Sequence, residues 1–578
     1  MNSLEESVLE KVNIWINGNY DESVKKELHN LLNQKAFTTL TDAFYKDLEF
    51  GTGGLRGIIG TGTNRINQYT LGMATQGLSN YLKKIYPNEQ IKVVIAHDNR
   101  NNAEYFARIT AEVFSANDIF VYFFDALRPT PELSFAIREL GCHSGIMLTA
   151  SHNPKEYSGY KAYWKDGGQL IYPHDNRVIE EVTRIKSVDE VKFTGKDSLI
   201  QTIGKEMDML YIKAIKALSI SQEAIKRQEN LKIVFSPIHG TGVKLVPDAL
   251  KAFGFKNVIL VEEQCVVDGN FPTVIYPNPE EKEALTMALN KAKETDADLV
   301  MATDPDADRV GIAIKNNKNE FILLNGNQTG CLLVQYMLNV WEKNGKLKGN
   351  EYIVKTIVTS YLMDKIAESK KVECYNVLTG FKFIGELISE LENIKTFIVG
   401  GEESYGYLIG EHARDKDAVI ACAMIAEMAA YYKDNSSSLF EALLDMYKEY
   451  GFYQEKLISV TLKGQSGAME IQKMMDRFRN NPPLTLGNSK VVVIKDYEKS
   501  LETQVITNQK KSIDLPKSNV LQLITEDGSI VSARPSGTEP KIKFYCSVNT
   551  PFPDKGLYTQ ISEQLNKKID TIIGDLKI

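Results

Sequence analysis

The sequence predicts an α/β protein of several domains, and three observations carry that expectation. Its 578 residues exceed the roughly 250–300 that one hydrophobic core can serve, so about three to five domains are expected. From residue 91 onward, short apolar runs alternate with helical patterns, which reads as mixed or parallel sheets covered by helices. Several of those runs stop at polar, glycine-bearing loops, where α/β sheets place ligand chemistry.

Residues 1–48 space apolar side chains helically, as in Leu9, Val12, Ile14 and Trp15 and later Leu28, Leu31 and Leu32. They read as a helical N-terminal extension of the first domain. In Phe50-Gly51-Thr52-Gly53-Gly54-Leu55-Arg56-Gly57 the glycines would let backbone amides crowd an anion, with Arg56 nearby. Strands are expected at 91–96 and 119–124 around a helix at 103–114, and again at 145–148, completing an α/β domain over 49–208. A second α/β domain, 209–324, follows a charged helix and carries apolar runs at 231–235, 258–261, 298–302 and 310–314. The third, 325–454, has strands at 353–358 and 397–399, the latter ending at Gly400-Gly401-Glu402-Glu403-Ser404-Tyr405-Gly406. The last domain, 455–578, differs: runs at 520–525 and 530–533 flank Glu526-Asp527-Gly528-Ser529, a hairpin signal, and an alternating strand follows at 541–548. No low-complexity linker separates these pieces, so they are expected to pack together.

The composition, 43% hydrophobic and 25% charged, is that of an ordinary globular chain. A net charge of −7 argues against nucleic acid as a partner, since phosphate backbones are held by clustered Lys and Arg. The start of the chain lacks the pattern of a signal peptide, and the longest apolar candidate for a membrane span, 418–432, is interrupted by Glu427. Six scattered cysteines form no C-x-x-C pair, which points to a reduced cytoplasm rather than to zinc or a disulfide framework. Nothing in the sequence specifies an oligomeric state.

Chemistry concentrates in three stretches. Thr149-Ala150-Ser151-His152-Asn153-Pro154 follows the apolar run 145–148 and offers Ser151 as a reacting hydroxyl. His152 is the neighbouring base, but adjacent residues in extended chain point to opposite faces, which predicts that its imidazole does not reach the Ser151 oxygen. Asp304-Pro305-Asp306-Ala307-Asp308-Arg309 places carboxylates at alternate positions, which in extended backbone would fall on one side and converge on one hard cation, Mg²⁺. An EF-hand is excluded, because its glycine and glutamate positions hold Arg309 and Lys315. Arg534-Pro535-Ser536-Gly537-Thr538 combines a guanidinium, two hydroxyls and a flexible amide, suited to a phosphate. Nucleophile, metal cage and anion cradle together describe phosphoryl transfer.

In this order, Thr149–Pro154, Asp304–Arg309, the Gly-Glu-Glu-Ser loop at 401–404 and the Arg-Pro-Ser-Gly-Thr-Glu-Pro loop at 534–540 resemble the four site motifs of the α-D-phosphohexomutase superfamily. The 50–57 loop and the runs Arg128-Pro129-Thr130-Pro131 and Gly380-Phe381-Lys382-Phe383 are similar to its phosphoglucomutase and phosphopentomutase branch. The resemblance implies three similar α/β domains and a fourth, α+β and like the TATA-binding-protein fold, around a central cleft. It implies a phosphoserine at Ser151 and Mg²⁺ on Asp304, Asp306 and Asp308, with Ser151 beside the metal. The catalytic set expected is Ser151, Lys161, Arg56 and His152; the resemblance puts Lys161 where relatives place a general acid/base. It implies substrate contacts from Thr379, Gly380, Glu402, Ser404, Lys416 and Arg309, and phosphate contacts from Arg534, Ser536, Gly537 and Thr538. One departure is His97, which replaces an aromatic or small residue before Asp98.

The activity expected is interconversion of glucose 1-phosphate and glucose 6-phosphate, with glucose 1,6-bisphosphate as intermediate and activator. Phosphopentomutase, phosphomannomutase and glucose 1,6-bisphosphate synthase share every group named. An aspartyl-phosphate hydrolase using Asp304 leaves the Ser151 and Arg534 loops unexplained, and a sugar-phosphate sensor needs no phosphorylatable serine.

Overall fold

A computed structural model describes residues 3–51, 53–462, 464–536 and 541–578. Thr52 of the glycine loop and Gly537 and Thr538 of the phosphate loop lie outside the described residues. Three helices, Ser3–Asn17, Glu22–Asn33 and Phe37–Phe44, open the chain. Val12, Trp15, Leu28, Leu40 and Phe44 form their common core with Tyr69 of the following helix, so the extension is seated on the first sheet domain. Ile14 departs from the helical pattern expected of it and stands 58% exposed on the opposite face.

Three α/β domains and a sheet-rich C-terminal domain follow, as the fold class anticipated. In the first sheet, Ser144–Leu148, Lys92–His97, Phe120–Phe124 and Ile200–Ile203 run parallel, while Tyr157–Trp164 and Gly54–Ile58 add antiparallel strands at one edge. In the second, Leu299–Thr303 lies parallel to Ile233–Ser236 and antiparallel to Val310–Lys315. In the third, Thr396–Gly401 lies parallel to Glu351–Thr356 and antiparallel to Tyr407–Ile409. Strands such as Ser144–Leu148 and Leu299–Thr303 are buried at every residue, because helices cover both faces of a parallel sheet. The fourth sheet is antiparallel, with Ile530–Pro535 beside Lys541–Thr550.

The three α/β domains share one arrangement. Each parallel sheet gains an antiparallel hairpin, and the connections of those hairpins are the Ser151, Asp304 and Glu402 loops. Two of the glycines at 51–57, Gly54 and Gly57, belong to the strand that extends the first hairpin. The stretch Gly54–Ile58 pairs with Tyr157–Trp164, and a Cβ on Gly54 (φ +128°) would stand 1.7 Å from the Tyr160 carbonyl oxygen.

The helix Ala418–Asp434, apolar on every side, is a buried core helix. Its Glu427 is fully buried and accepts hydrogen bonds from the backbone amides of Ile220 and Ser221, both at 2.8 Å, and from the Tyr336 hydroxyl at 2.9 Å. Among the described residues no helix is long and apolar enough to cross a membrane.

Candidate active site

The strand Ser144–Leu148 delivers Ser151 at its C-terminal end, 3% exposed, with its amide donating to Thr149 Oγ1 at 2.8 Å. Ser151 adopts φ +53°, the left-handed region that a non-glycine residue enters only under constraint. That turn corrects the expectation for His152. The backbone is not extended there, so neighbouring side chains come together and Ser151 Oγ lies 3.2 Å from His152 Nδ1. The loop is held by Arg100, which the sequence reading missed. Its guanidinium donates to the carbonyls of Ser151 (2.6 Å), Asn153 (2.5 Å), Pro154 (2.8 Å) and Tyr157 (2.9 Å). Asp98 pairs with Arg100 at 3.4 Å, and two opposite charges just past a buried strand were the available signal.

Ser151 Oγ donates to Asp304 Oδ2 at 2.9 Å, joining the first domain to the second. The three aspartates do converge, but through a turn rather than an extended strand. Ala307 takes φ +49°, and Asp304 Oδ1 accepts from the amides of Asp308 (3.1 Å) and Arg309 (3.0 Å). Lys161 reaches Asp306 at 2.7 Å and Asp308 at 3.3 Å, and Lys416 reaches Asp308 and Asp415, each at 3.1 Å. Tyr163 and Gln169 donate to Asp415 at 2.7 and 2.8 Å, tying the first domain to the third.

Burial opposes the charge on Lys161, but Asp306 and Asp308 outweigh it and hold the amine above the ordinary lysine value. Burial likewise opposes ionisation of Asp308, yet Lys416, Lys161 and Arg309 hold its carboxyl below the usual range. Asp304 goes the other way: burial, then Asp308 and Asp306, push it well above. His152 is driven well below the ordinary imidazole value by burial and then by Arg309 and Arg56, so its ring is neutral.

The donor set fits a hard divalent cation. Ligand atoms of Asp304, Asp306 and Asp308 lie within 4.8 Å of one another, all three residues are buried, and Asp306 Oδ1 and Asp308 Oδ1 are buried without a hydrogen-bond partner. Three carboxylate oxygens beside a serine oxygen suit Mg²⁺, which prefers oxygen ligands and leaves room for phosphate.

Around this centre stand the remaining candidates. Arg309 pairs with Glu280 at 2.7 Å. Glu402 is buried and accepts from the Gly380 amide at 2.9 Å, so these two expected sugar-binding loops meet; Thr379 Oγ1 beside them is buried without a partner. The connection that carries Glu402 lies beside the metal loop, where the Val310 amide donates to the Tyr405 carbonyl at 3.0 Å. Ser404 is half-buried in the same hairpin connection. Arg56 is exposed, on the strand paired with Tyr157–Trp164. Arg534 and Ser536, half-buried, belong to the fourth domain; Arg534 lies opposite Lys543 across the strands, and it opposes the upward push that burial, Glu403 and Glu402 exert on the Tyr545 hydroxyl.

Comparison with known proteins follows the same order of domains. Sequence models of phosphoglucomutase/phosphomannomutase alpha/beta/alpha domains I, II and III match residues 47–189, 209–318 and 325–447. A phosphoglucomutase of Staphylococcus aureus (strain MRSA252) is 38% identical over 541 residues, covering 93% of this chain and 95% of that protein. One from Staphylococcus haemolyticus (strain JCSC1435) is 36% identical over 507 residues, 88% and 91% of the two chains. Two solved structures share the fold at 18% identity. A phosphoglucomutase/phosphomannomutase family protein from Burkholderia thailandensis has a TM-score of 0.66, covering 91% of this chain and 96% of that one. The open form of parafusin, a phosphoglucomutase from Paramecium, has a TM-score of 0.67 at the same coverages.

Proposed function

This chain belongs to the phosphoglucomutase/phosphomannomutase family of intramolecular phosphotransferases, and we propose that it interconverts glucose 1-phosphate and glucose 6-phosphate through phospho-Ser151 and glucose 1,6-bisphosphate. The observation that carries this reading is the 2.9 Å hydrogen bond from Ser151 Oγ to Asp304, inside a buried group of three carboxylates.

Phospho-Ser151 gives its phosphoryl group to a free hydroxyl of the sugar monophosphate. The Oγ–P bond breaks, a sugar O–P bond forms, the sugar hydroxyl loses a proton and Ser151 Oγ gains one. Lys161 and His152, both on the hairpin that carries Ser151, handle that exchange: the neutral imidazole is suited to accept and the charged amine to donate. The bisphosphate turns end for end, and its other phosphoryl group returns to Ser151; the same compound primes an unphosphorylated enzyme. Asp304, Asp306 and Asp308 would hold Mg²⁺, which when bound would supply positive charge to a transferring phosphoryl group. Arg56, Arg309 and Lys416 add fixed cations near the reacting end. Glu402, Ser404, Thr379 and Gly380 grip the sugar, and Arg534, Ser536, Gly537 and Thr538 hold the phosphate that does not react. The relatives named as phosphoglucomutases support glucose as the sugar. All six cysteines are unpaired, which supports a cytoplasmic site of action.

Intact-mass measurement and rates on glucose, mannose and ribose 1-phosphates test the reading together. We expect one phosphate that disappears in Ser151→Ala, and the highest kcat/KM on glucose 1-phosphate. Phosphate on Asp304 instead of Ser151 overturns the mechanism, and a faster rate on mannose or ribose 1-phosphate overturns the substrate.

A further inference from the structure

The motif Arg128-Pro129-Thr130-Pro131 has no task in the reaction as described, yet it touches the metal loop. Arg128 is buried and donates through Nε to Asp208 at 2.7 Å and through Nη2 to Asp125 at 2.9 Å; its amide donates to the His97 carbonyl at 3.1 Å. The segment is therefore fixed to the first domain. Thr130 opens the helix Thr130–Glu139 and is fully buried. Its amide donates to the Asp306 carbonyl at 2.9 Å, and its Oγ1 donates to Asp306 Oδ2 at 2.9 Å.

Lys161 donates to the same Oδ2 at 2.7 Å. One oxygen of the Asp306 carboxylate is thus engaged by two donors from the first domain, while the other, Oδ1, is buried with no hydrogen-bond partner among the described residues. Two donors on one oxygen and a backbone bond on the same residue leave the carboxylate no free rotation. We propose that Thr130 is a positioning residue that turns Asp306 Oδ1 toward Mg²⁺, so that metal affinity in the second domain depends on a hydroxyl supplied by the first. The proposal rests on the reading that the aspartate loop holds Mg²⁺, and hydrogen bonds of this outer kind are worth about 10–100-fold in metal affinity.

The test titrates Mg²⁺ into the full-length, unphosphorylated protein by calorimetry, comparing wild type with Thr130→Val, Thr130→Ser and Asp308→Asn. Thr130→Val is expected to bind Mg²⁺ about tenfold more weakly, with Thr130→Ser close to wild type and both retaining the wild-type circular dichroism spectrum. In turnover the loss should appear as a raised Mg²⁺ requirement, with kcat recovering at saturating metal. Thr130→Val matching wild type, or Thr130→Ser binding as weakly as Thr130→Val, overturns the positioning role alone. Wild type and Asp308→Asn titrating alike overturns the metal reading beneath it. Should Thr130→Val not fold, Thr130→Ala carries the same expectation; if neither folds, the residue serves packing and the proposal falls.

Discussion

Arg100 Nη2 donates to the Ser151 carbonyl at 2.6 Å, and the same guanidinium holds three further carbonyls of that loop. A planar fork with five donors can hold four acceptors at once, whereas an ammonium cannot. Arg100→Lys is therefore expected to loosen the loop and lower kcat by about 100-fold or more, because misplacing a reacting group by about 1 Å costs that much. Stability should fall as well, by roughly 3–5 kcal/mol in Arg100→Ala, since Asp98 is left buried and unpaired. Denaturant melts and single-turnover rates on the two variants check this, and wild-type kcat in Arg100→Lys would contradict it.

Ser151→Ala removes the oxygen proposed to carry the phosphoryl group but leaves the Arg100 clamp intact, because the clamp uses main-chain carbonyls. Turnover should vanish while the thermal midpoint stays within a few degrees of wild type. Residual activity comparable to wild type would end the phosphoserine reading.

Chelation with EDTA should abolish turnover, and excess Mg²⁺ should restore it. Because the three carboxylates are brought together only in the folded chain, Mg²⁺ held there at 100 times its Kd should add about 2.7 kcal/mol of stability. A thermal midpoint indifferent to Mg²⁺ would count against the site.

Glu455 lies on the strand Phe452–Thr461 of the fourth domain and accepts a hydrogen bond from Ser360 of the third. Burial pushes its carboxyl up to about 7, against the opposing pull of Ser360, Ser547 and Lys355. A folded-state value above the unfolded one means the folded protein binds more protons between roughly pH 4.5 and 7. Its contribution is thus fully present below that window and is lost as pH rises through it. Glu455→Gln should flatten this part of the stability profile; a slope unchanged from wild type in denaturant melts across that range would refute the assignment.

Arg534→Ala should raise KM for glucose 1-phosphate with a smaller change in kcat, because the role proposed for it is to hold the phosphate that does not react. Steady-state kinetics decide the point, and an unaltered KM would remove Arg534 from the cradle.

The loops at Ser151, Asp304 and Glu402 were legible because each follows an unbroken apolar strand and carries residue types with distinct chemistry. The contacts of Arg100 and Thr130 were not, since their partners lie 51 and 176 residues away. Most of those partners are main-chain carbonyls, which every residue possesses. The contact between Ser151 and His152 was misread for a local reason. A serine at φ +53° looks like any other serine in sequence, and so does an alanine at φ +49° in the aspartate turn.

Hanging each reactive loop on the outer turn of an added hairpin separates what the enzyme is built from and what it recognises. Residues 402–406 form the connection of the third domain's hairpin, outside the paired stretches that set the register of its strands. Replacing that short segment with a relative's therefore asks whether sugar preference travels with the third domain's loop alone, apart from the loops that carry Ser151 and Asp304.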